Sequence, residues 1–249
     1  MPAKRKKCLY DPVSKEPFPL SRSGVESWVS CPKCFWFHKR LGIRQPGPPA
    51  MMLNRAIDEL LKKEFDLHRA SATPHAIMAE HGIDAVPFNH PDLATWRSNF
   101  KGVKLFHKAN NFMLGGAIDD LWVAPDGELY VADYKGTASA KAEPMTLDTV
   151  YRQAYKRQLE FYIYLLRGNG FKVSPRSFII YAVGQMNAPA LNGNLRFDLQ
   201  LIEHLANMEW IEPTLTEIKK TLMLDSPPPP APDCELCNYV KATQEWLKP

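Results

Sequence analysis

The pattern of apolar and polar positions changes between a helical period and a strand period along the chain. Segments with helical spacing are predicted at about Met52 to Leu67, Leu147 to Arg167 and His204 to Met223. Segments with strand character are predicted at Phe112 to Val123, Glu128 to Lys135, Ser177 to Val183 and Leu195 to Leu201. This alternation predicts an α/β fold with a mixed central β-sheet flanked by helices.

Two acidic residues meet in the predicted hairpin around Pro125-Asp126-Gly127. A three-residue loop there places Asp119 directly opposite Asp133, and because residues two apart in a strand share a face, Lys135 lies on the same side as Asp133. Opposed like charges are destabilising unless something compensates them, and a divalent cation would do so. The alternative is a surface Asp–Lys pair, but the flanking strand residues are apolar, which favours a site.

Composition indicates a globular protein that is able to fill a core. The 249 residues are 45% hydrophobic, and the net charge of +4 is compatible with a polyanionic partner. No apolar run is long enough to span a bilayer and no signal peptide is predicted, so we expect a cytoplasmic location. We expect a basic disordered tail over residues 1–19, a single domain over 20–240 and a C-terminal tail over 241–249.

Four of the five cysteines form two Cys-x-x-Cys pairs, which lie almost the whole chain apart. Cys31 with Cys34 and Cys234 with Cys237 would supply four thiolates, a set that suits Zn²⁺ or an iron–sulfur cluster. Spacing alone does not choose between these two. In either case the site would join the N- and C-terminal segments and serve folding. Cys8 stands alone and is not assigned to the site.

The hairpin motifs resemble those of a known family. Gly116-Ala117-Ile118-Asp119 and Asp133-Tyr134-Lys135-Gly136-Thr137 are similar to the GxxD and DYKT motifs of the PD-(D/E)XK nuclease superfamily, specifically its RecB-like members. In those nucleases a following helix carries Gln-x-x-x-Tyr, which Gln158 and Tyr162 match. The resemblance implies a restriction-endonuclease-like core and a metal-dependent nuclease that cuts single-stranded DNA or DNA ends in repair, recombination or defence.

The resemblance also implies a role for each matching residue. Asp119 and Asp133 would bind Mg²⁺ or Mn²⁺ together with the backbone carbonyl of Tyr134. Lys135 would position the attacking water and steady the phosphate. Gln158 and Tyr162 would organise the site and the DNA strand.

The chain departs from the family pattern at two places. Where the family carries a metal-binding histidine on an upstream helix, this chain offers Asp58, with Glu59 beside it; aspartate suits Mg²⁺ and Mn²⁺, and an ordinary exposed acid is the alternative. Some relatives hold a four-iron four-sulfur cluster with one cysteine before the core and three after it. Here the division is two and two, so either Cys34 takes the fourth place or the site holds zinc.

Two other functions agree with the same sequence. The first is a nucleic-acid-binding or assembly module that keeps the nuclease fold but does not cut, which the missing histidine favours. The second is a zinc-ribbon-like interaction protein in which the acidic hairpin is incidental. DNA is the expected partner, with possible protein partners in a repair or defence complex and no membrane.

Overall fold

A computed structural model describes residues 9–47, 51–139, 144–149 and 152–247. Residues 1–8 of the predicted basic tail, including Cys8, therefore lie outside the described residues. The strands are β1 (Phe18–Ser21), β2 (Val86–Pro87), β3 (Val103–His107), β4 (Phe112–Gly116), β5 (Asp120–Val123), β6 (Leu129–Ser139), β7 (Val173–Gln185) and β8 (Phe197–Leu205). The helices are α1 (Arg22–Ser30), α2 (Pro32–Leu41), α3 (Met52–Ser71), α4 (Ala76–Glu80), α5 (Leu93–Trp96), α6 (Gln153–Gly168), α7 (Ile211–Met223) and α8 (Glu235–Trp246).

The chain folds as two compact units. The first comprises Met1–Pro48, Lys104–Gly115 and Glu209–Pro249, and the second comprises Pro49–Val103 and Gly116–Met208. No helix of the described part of the chain is long and apolar enough to cross a membrane.

The first unit contains both cysteine pairs. Its three-stranded sheet has the order β1-β4-β3, with β1 parallel to β4. Ser21 caps α1, because its side chain accepts a hydrogen bond from the Gly24 backbone N–H. The helices α1, α2 and α7 pack on one another, and α8 carries the second cysteine pair.

The second unit is built on a mixed five-stranded sheet, which confirms the predicted fold class. Its order is β2-β5-β6-β7-β8, and β6 and β7 are parallel while the other neighbours are antiparallel. On one face Ile57 and Phe65 of α3 pack against Trp122 and Tyr134. The helix lies close to the sheet, because a Cβ on Gly136 would come within 2.8 Å of Ile57. The other side of β6 and β7 contacts α6.

Several predicted boundaries were wrong. The predicted strand from Phe112 to Val123 is two strands in different sheets, because the Ile118 backbone N–H donates to the Trp96 carbonyl, at 3.0 Å, instead of to a neighbouring strand. The predicted helix at Leu147 begins at Gln153. The first residues of the helix predicted from His204 belong to β8. The predicted domain limits stay predictions; residues 241–246, in the predicted C-terminal tail, lie in α8.

Candidate active site and cysteine cluster

The β5–β6 hairpin brings Asp119 and Asp133 together. Asp120 pairs with Ala132, so the register continues to place Asp119 opposite Asp133 just beyond the strand end. Asp119 Oδ2 accepts a hydrogen bond from the Tyr134 backbone N–H at 3.3 Å. The Tyr134 side chain points to the opposite face, where its hydroxyl donates to Asp120. The alternation of β6 thus separates the acidic face from the apolar core.

Asp133 is held by two donors. Lys135 Nζ forms an ion pair with Asp133 Oδ2, and Gln158 Nε2 donates to Asp133 Oδ1 at 2.7 Å. Gln158 also lies 3.0 Å from the Tyr162 hydroxyl. The predicted Gln-x-x-x-Tyr pair therefore lies on the face of α6 that meets the acidic hairpin, although the roles assigned to these residues stay predictions.

Gly116 connects the GxxD motif to α6 physically. A Cβ built on Gly116 would lie 2.7 Å from Tyr162 Cε1, closer than such atoms can approach. The ring of Tyr162 is buried. Glycine at this position therefore lets α6 pack directly against the segment that leads to Asp119.

The two carboxylates differ in protonation. Burial, together with the nearby Asp119, raises the pKa of Asp133 to about 7, even though Lys135 opposes the shift. Burial also acts to raise the pKa of Asp119, but Lys62 and Lys135 outweigh it and hold that pKa below its ordinary value. Metal-free protein therefore carries an ionised Asp119 beside an Asp133 that gains a proton near neutral pH.

Sequence reasoning missed Lys62, which lies between two of the candidate ligands. Its Nζ is 2.8 Å from Asp58 Oδ2 and 2.8 Å from Asp119 Oδ1. Burial lowers the pKa of Lys62, but Asp119 and Asp58 outweigh burial and raise it. The i,i+4 spacing of Asp58 and Lys62 could have indicated the pair. Glu59 instead pairs with Arg55 at 2.9 Å, where both side chains are largely exposed.

Sequence reasoning also missed an ionic network that holds the Asp119 backbone in place. Arg97 Nε donates to the Asp119 carbonyl at 2.8 Å, and the Arg97 guanidinium also contacts Asp66 and Asp120. Asp120 is fully buried and is paired with Arg69 as well. The sequence around Asp120 does not indicate these ion pairs, because the arginines lie far from Asp120 in the chain.

The donors around Asp119 fit a hard divalent cation. Asp58, Asp119 and Asp133 offer carboxylate oxygens, the ligands that Mg²⁺ and Mn²⁺ prefer. Among the described residues, however, the one group of three or more possible ligands that could hold a metal is the four cysteines, whose sulfur atoms all lie within 4.8 Å of one another. The carboxylate oxygens of Asp58, Asp119 and Asp133 do not form such a group, and the Lys62 ammonium lies between Asp58 and Asp119.

The cysteine cluster lies within the first unit. Cys34 Sγ is 3.4 Å from Cys237 Sγ and 3.8 Å from Cys234 Sγ, and Cys31 Sγ is 3.9 Å from Cys237 Sγ. All four are free thiols, and Cys31 and Cys34 are buried. The predicted gathering of the N- and C-terminal cysteine pairs is confirmed, and the group can bind a metal.

Comparison with known proteins gives the family. The profile described as the PD-(D/E)XK nuclease superfamily matches residues 48–242. The search of curated proteins found no significant match. Among solved structures, "Crystal structure of SSO0001" is 15% identical, with 86% of this chain and 80% of that chain covered and a TM-score of 0.34. Because the family profile spans most of the sequence, including every residue of the acidic site, this chain belongs to the PD-(D/E)XK nuclease superfamily.

Proposed function

We propose that this protein is a Mg²⁺- or Mn²⁺-dependent deoxyribonuclease. The observation that carries the proposal is the arrangement of Asp119, Asp133 and Lys135 on one face of the hairpin, with Gln158 donating to Asp133 at 2.7 Å. Carboxylates that can hold a divalent cation, next to a fixed lysine that can stabilise charge on a phosphate, suit the hydrolysis of a phosphodiester. Family membership supports nuclease activity in general.

Each residue has a distinct part in this proposal. Asp119 and Asp133, with Asp58 and the Tyr134 carbonyl, would hold the cation, which when bound lowers the pKa of water and neutralises phosphate charge. Lys135 orients the attacking water and stabilises charge on the phosphate. Gln158 fixes the Asp133 carboxylate, so that its second oxygen stays directed towards Lys135.

Aromatic and cationic groups next to Lys135 support a single-stranded substrate. The Lys135 ammonium lies 5.0 Å from the centre of the Tyr155 ring, which is partly exposed. The Arg152 guanidinium lies 5.7 Å from the centre of the Tyr181 ring, but that ring is buried, so of the two only Tyr155 is open to a base. A partly exposed ring beside positive charges suits unstacked bases and their phosphates. We therefore propose single-stranded DNA or DNA ends as substrate, with a cytoplasmic role in repair, recombination or defence.

A catalytically inactive DNA-binding or assembly module is the second candidate. One observation favours it: Asp58, which stands where the family has histidine, is bound by Lys62 at 2.8 Å. If Lys62 stays in place when DNA binds, Asp58 does not join a metal site and the fold binds without cutting.

Cleavage and binding of the same DNA distinguish the two candidates. End-labelled single- and double-stranded DNA is incubated with Mn²⁺ and wild-type protein, Lys135→Ala or Lys172→Ala. Lys172 is an exposed lysine that pairs with Asp126 away from the site and serves as the matched control. The nuclease proposal expects cleavage by wild type and Lys172→Ala and its loss in Lys135→Ala. Binding by all three proteins without cleavage would favour the inactive module.

A further inference from the structure

The sulfur separations in the cysteine cluster match a single tetrahedral ion. Around one zinc ion with Zn–S bonds of about 2.3 Å, the edges of the sulfur tetrahedron are about 3.8 Å. The contacts Cys31–Cys237, Cys34–Cys234 and Cys34–Cys237 are 3.9, 3.8 and 3.4 Å. These three separations are close to the edge that one ion imposes, and all four Sγ atoms lie within 4.8 Å of one another.

A four-iron four-sulfur cluster, which the family resemblance implies, does not fit this arrangement. In such a cluster each thiolate binds a different iron, which spreads the cysteine sulfurs to about 6 Å from one another. All four Sγ atoms here lie within 4.8 Å of each other. Accommodating the cluster would require every cysteine to move outward, including Cys31 and Cys34, which are buried.

The two cysteine pairs occupy equivalent positions on two helices. Cys31 is the N-cap of α2 and Cys234 is the N-cap of α8, so Cys34 and Cys237 both fall in a first helical turn. Helix N-termini stabilise thiolates, because their free N–H groups and dipoles favour negative charge. Two equivalent Cys-x-x-Cys pairs form a closed four-thiolate set, which is typical of structural zinc.

Basic residues line the cavity beside the cluster. This cavity of about 570 Å³ is bordered by Cys34 and Cys237 together with Lys33, Arg44 and Lys241. Four thiolates around one divalent ion leave a net charge of minus two, and the three cations line the same cavity as two of the cysteines.

The helix α8 has little apolar packing. None of its described residues is buried, and Tyr239 and Trp246 are largely exposed. Apolar contact therefore does little to fix α8 to the rest of the first unit, and a metal bound by Cys234 and Cys237 would attach it.

We infer that Cys31, Cys34, Cys234 and Cys237 bind one Zn²⁺ ion in a closed structural site that fastens α8 to the rest of the first unit. This inference does not depend on the proposed nuclease activity, because its readouts are metal content and the anchoring of a helix.

The experiment is metal analysis of full-length protein produced with both iron and zinc in the medium and purified without oxygen. We expect one zinc per chain, a colourless preparation, and replacement of zinc by Co²⁺ with the absorption of tetrahedral cobalt thiolate. A brown preparation containing iron and acid-labile sulfide, or protein that binds no metal, overturns the inference.

A variant tests the structural role separately. Cys237→Ser should lower zinc content and speed proteolysis within α8, while Cys8→Ser, at the fifth cysteine, should change neither. Hydrogen exchange of α5 and α6 in the second unit reports whether the variant still folds. If Cys237→Ser keeps full zinc and an equally protected α8, the assignment of this ligand is wrong.

Discussion

Replacing Lys62 by methionine should tighten the binding of Mn²⁺ to the acidic site. In the metal-free protein the Lys62 ammonium lies 2.8 Å from a carboxylate oxygen of Asp58 and 2.8 Å from one of Asp119. An incoming cation that uses either carboxylate has to displace this ammonium. Methionine keeps the length and apolar body of the side chain but removes the competing charge.

The structure sets the size of the expected effect. A hydrogen bond between charged groups is worth about 1.5–3 kcal/mol, and about 1.4 kcal/mol corresponds to a tenfold change in affinity. The side chains of Lys62 and Asp119 are only 18% and 19% exposed, so solvent screens the pair incompletely. If the cation displaces at least one such bond, Lys62→Met should bind Mn²⁺ about 10- to 100-fold more tightly. The metal-free variant should also be less stable, because Asp58 and Asp119 lose their partner.

The assay is titration of Mn²⁺ against wild type, Lys62→Met and Lys63→Met, followed by calorimetry or electron paramagnetic resonance. Lys63 follows Lys62 on α3 but is exposed, so it is the matched control. Equal Mn²⁺ affinity in the two variants, or weaker binding in Lys62→Met, would refute the idea that Lys62 competes with the cation.

Three further substitutions or conditions test the geometry of the site. Gly116→Ala should destabilise the protein by about 1–3 kcal/mol in thermal unfolding, because the new Cβ lies 2.7 Å from the Tyr162 ring. The control Gly115→Ala should be close to neutral, because its Cβ meets only the side chain of a flexible lysine. Mn²⁺ affinity should rise with pH up to about 7 and then level off. The reason is that Asp133, whose pKa is raised to about 7, must lose its proton to bind the cation. A Mn²⁺ affinity that does not change between about pH 5.5 and 8 would contradict this prediction. Gln158→Leu, which removes the 2.7 Å hydrogen bond to Asp133, should slow cleavage about tenfold or more at saturating Mn²⁺, and an unchanged rate would exclude a positioning role.

The hairpin could be predicted from sequence because two local rules agree there. The alternation of β6 fixes which side chains share a face, and the short turn fixes the register, so Asp119 and Asp133 are opposed. Helical spacing places Gln158 and Tyr162 on one face of a helix. Their place beside the acidic hairpin was implied by the resemblance to the nuclease superfamily and did not follow from the spacing. Strand alternation, turn length and helical spacing each depend only on residues that lie close together in the sequence.

The parts that sequence reasoning missed depend on distant residues. Asp120 is buried only because Arg69 and Arg97 arrive from separate helices to neutralise it. The interruption of the strand at Ile118 depends on the Trp96 carbonyl in the same way. The ion pair of Lys62 with Asp119 could not be predicted for the same reason. A lysine on an amphipathic helix normally faces solvent, and only the fold brings Lys62 to Asp119.

The most direct test of the proposed function is cleavage of end-labelled single-stranded DNA by wild type, Asp133→Asn and Lys135→Met in Mn²⁺. We expect wild type to cut the DNA, a chelator to stop it, and each variant to lose about 100-fold or more in rate. Asp133→Asn weakens the proposed cation site, and Lys135→Met removes a fixed charge at the reacting phosphate. If the wild-type protein leaves the DNA intact, or if either variant cuts it as fast as wild type, then Asp119, Asp133 and Lys135 are not the active site of a nuclease.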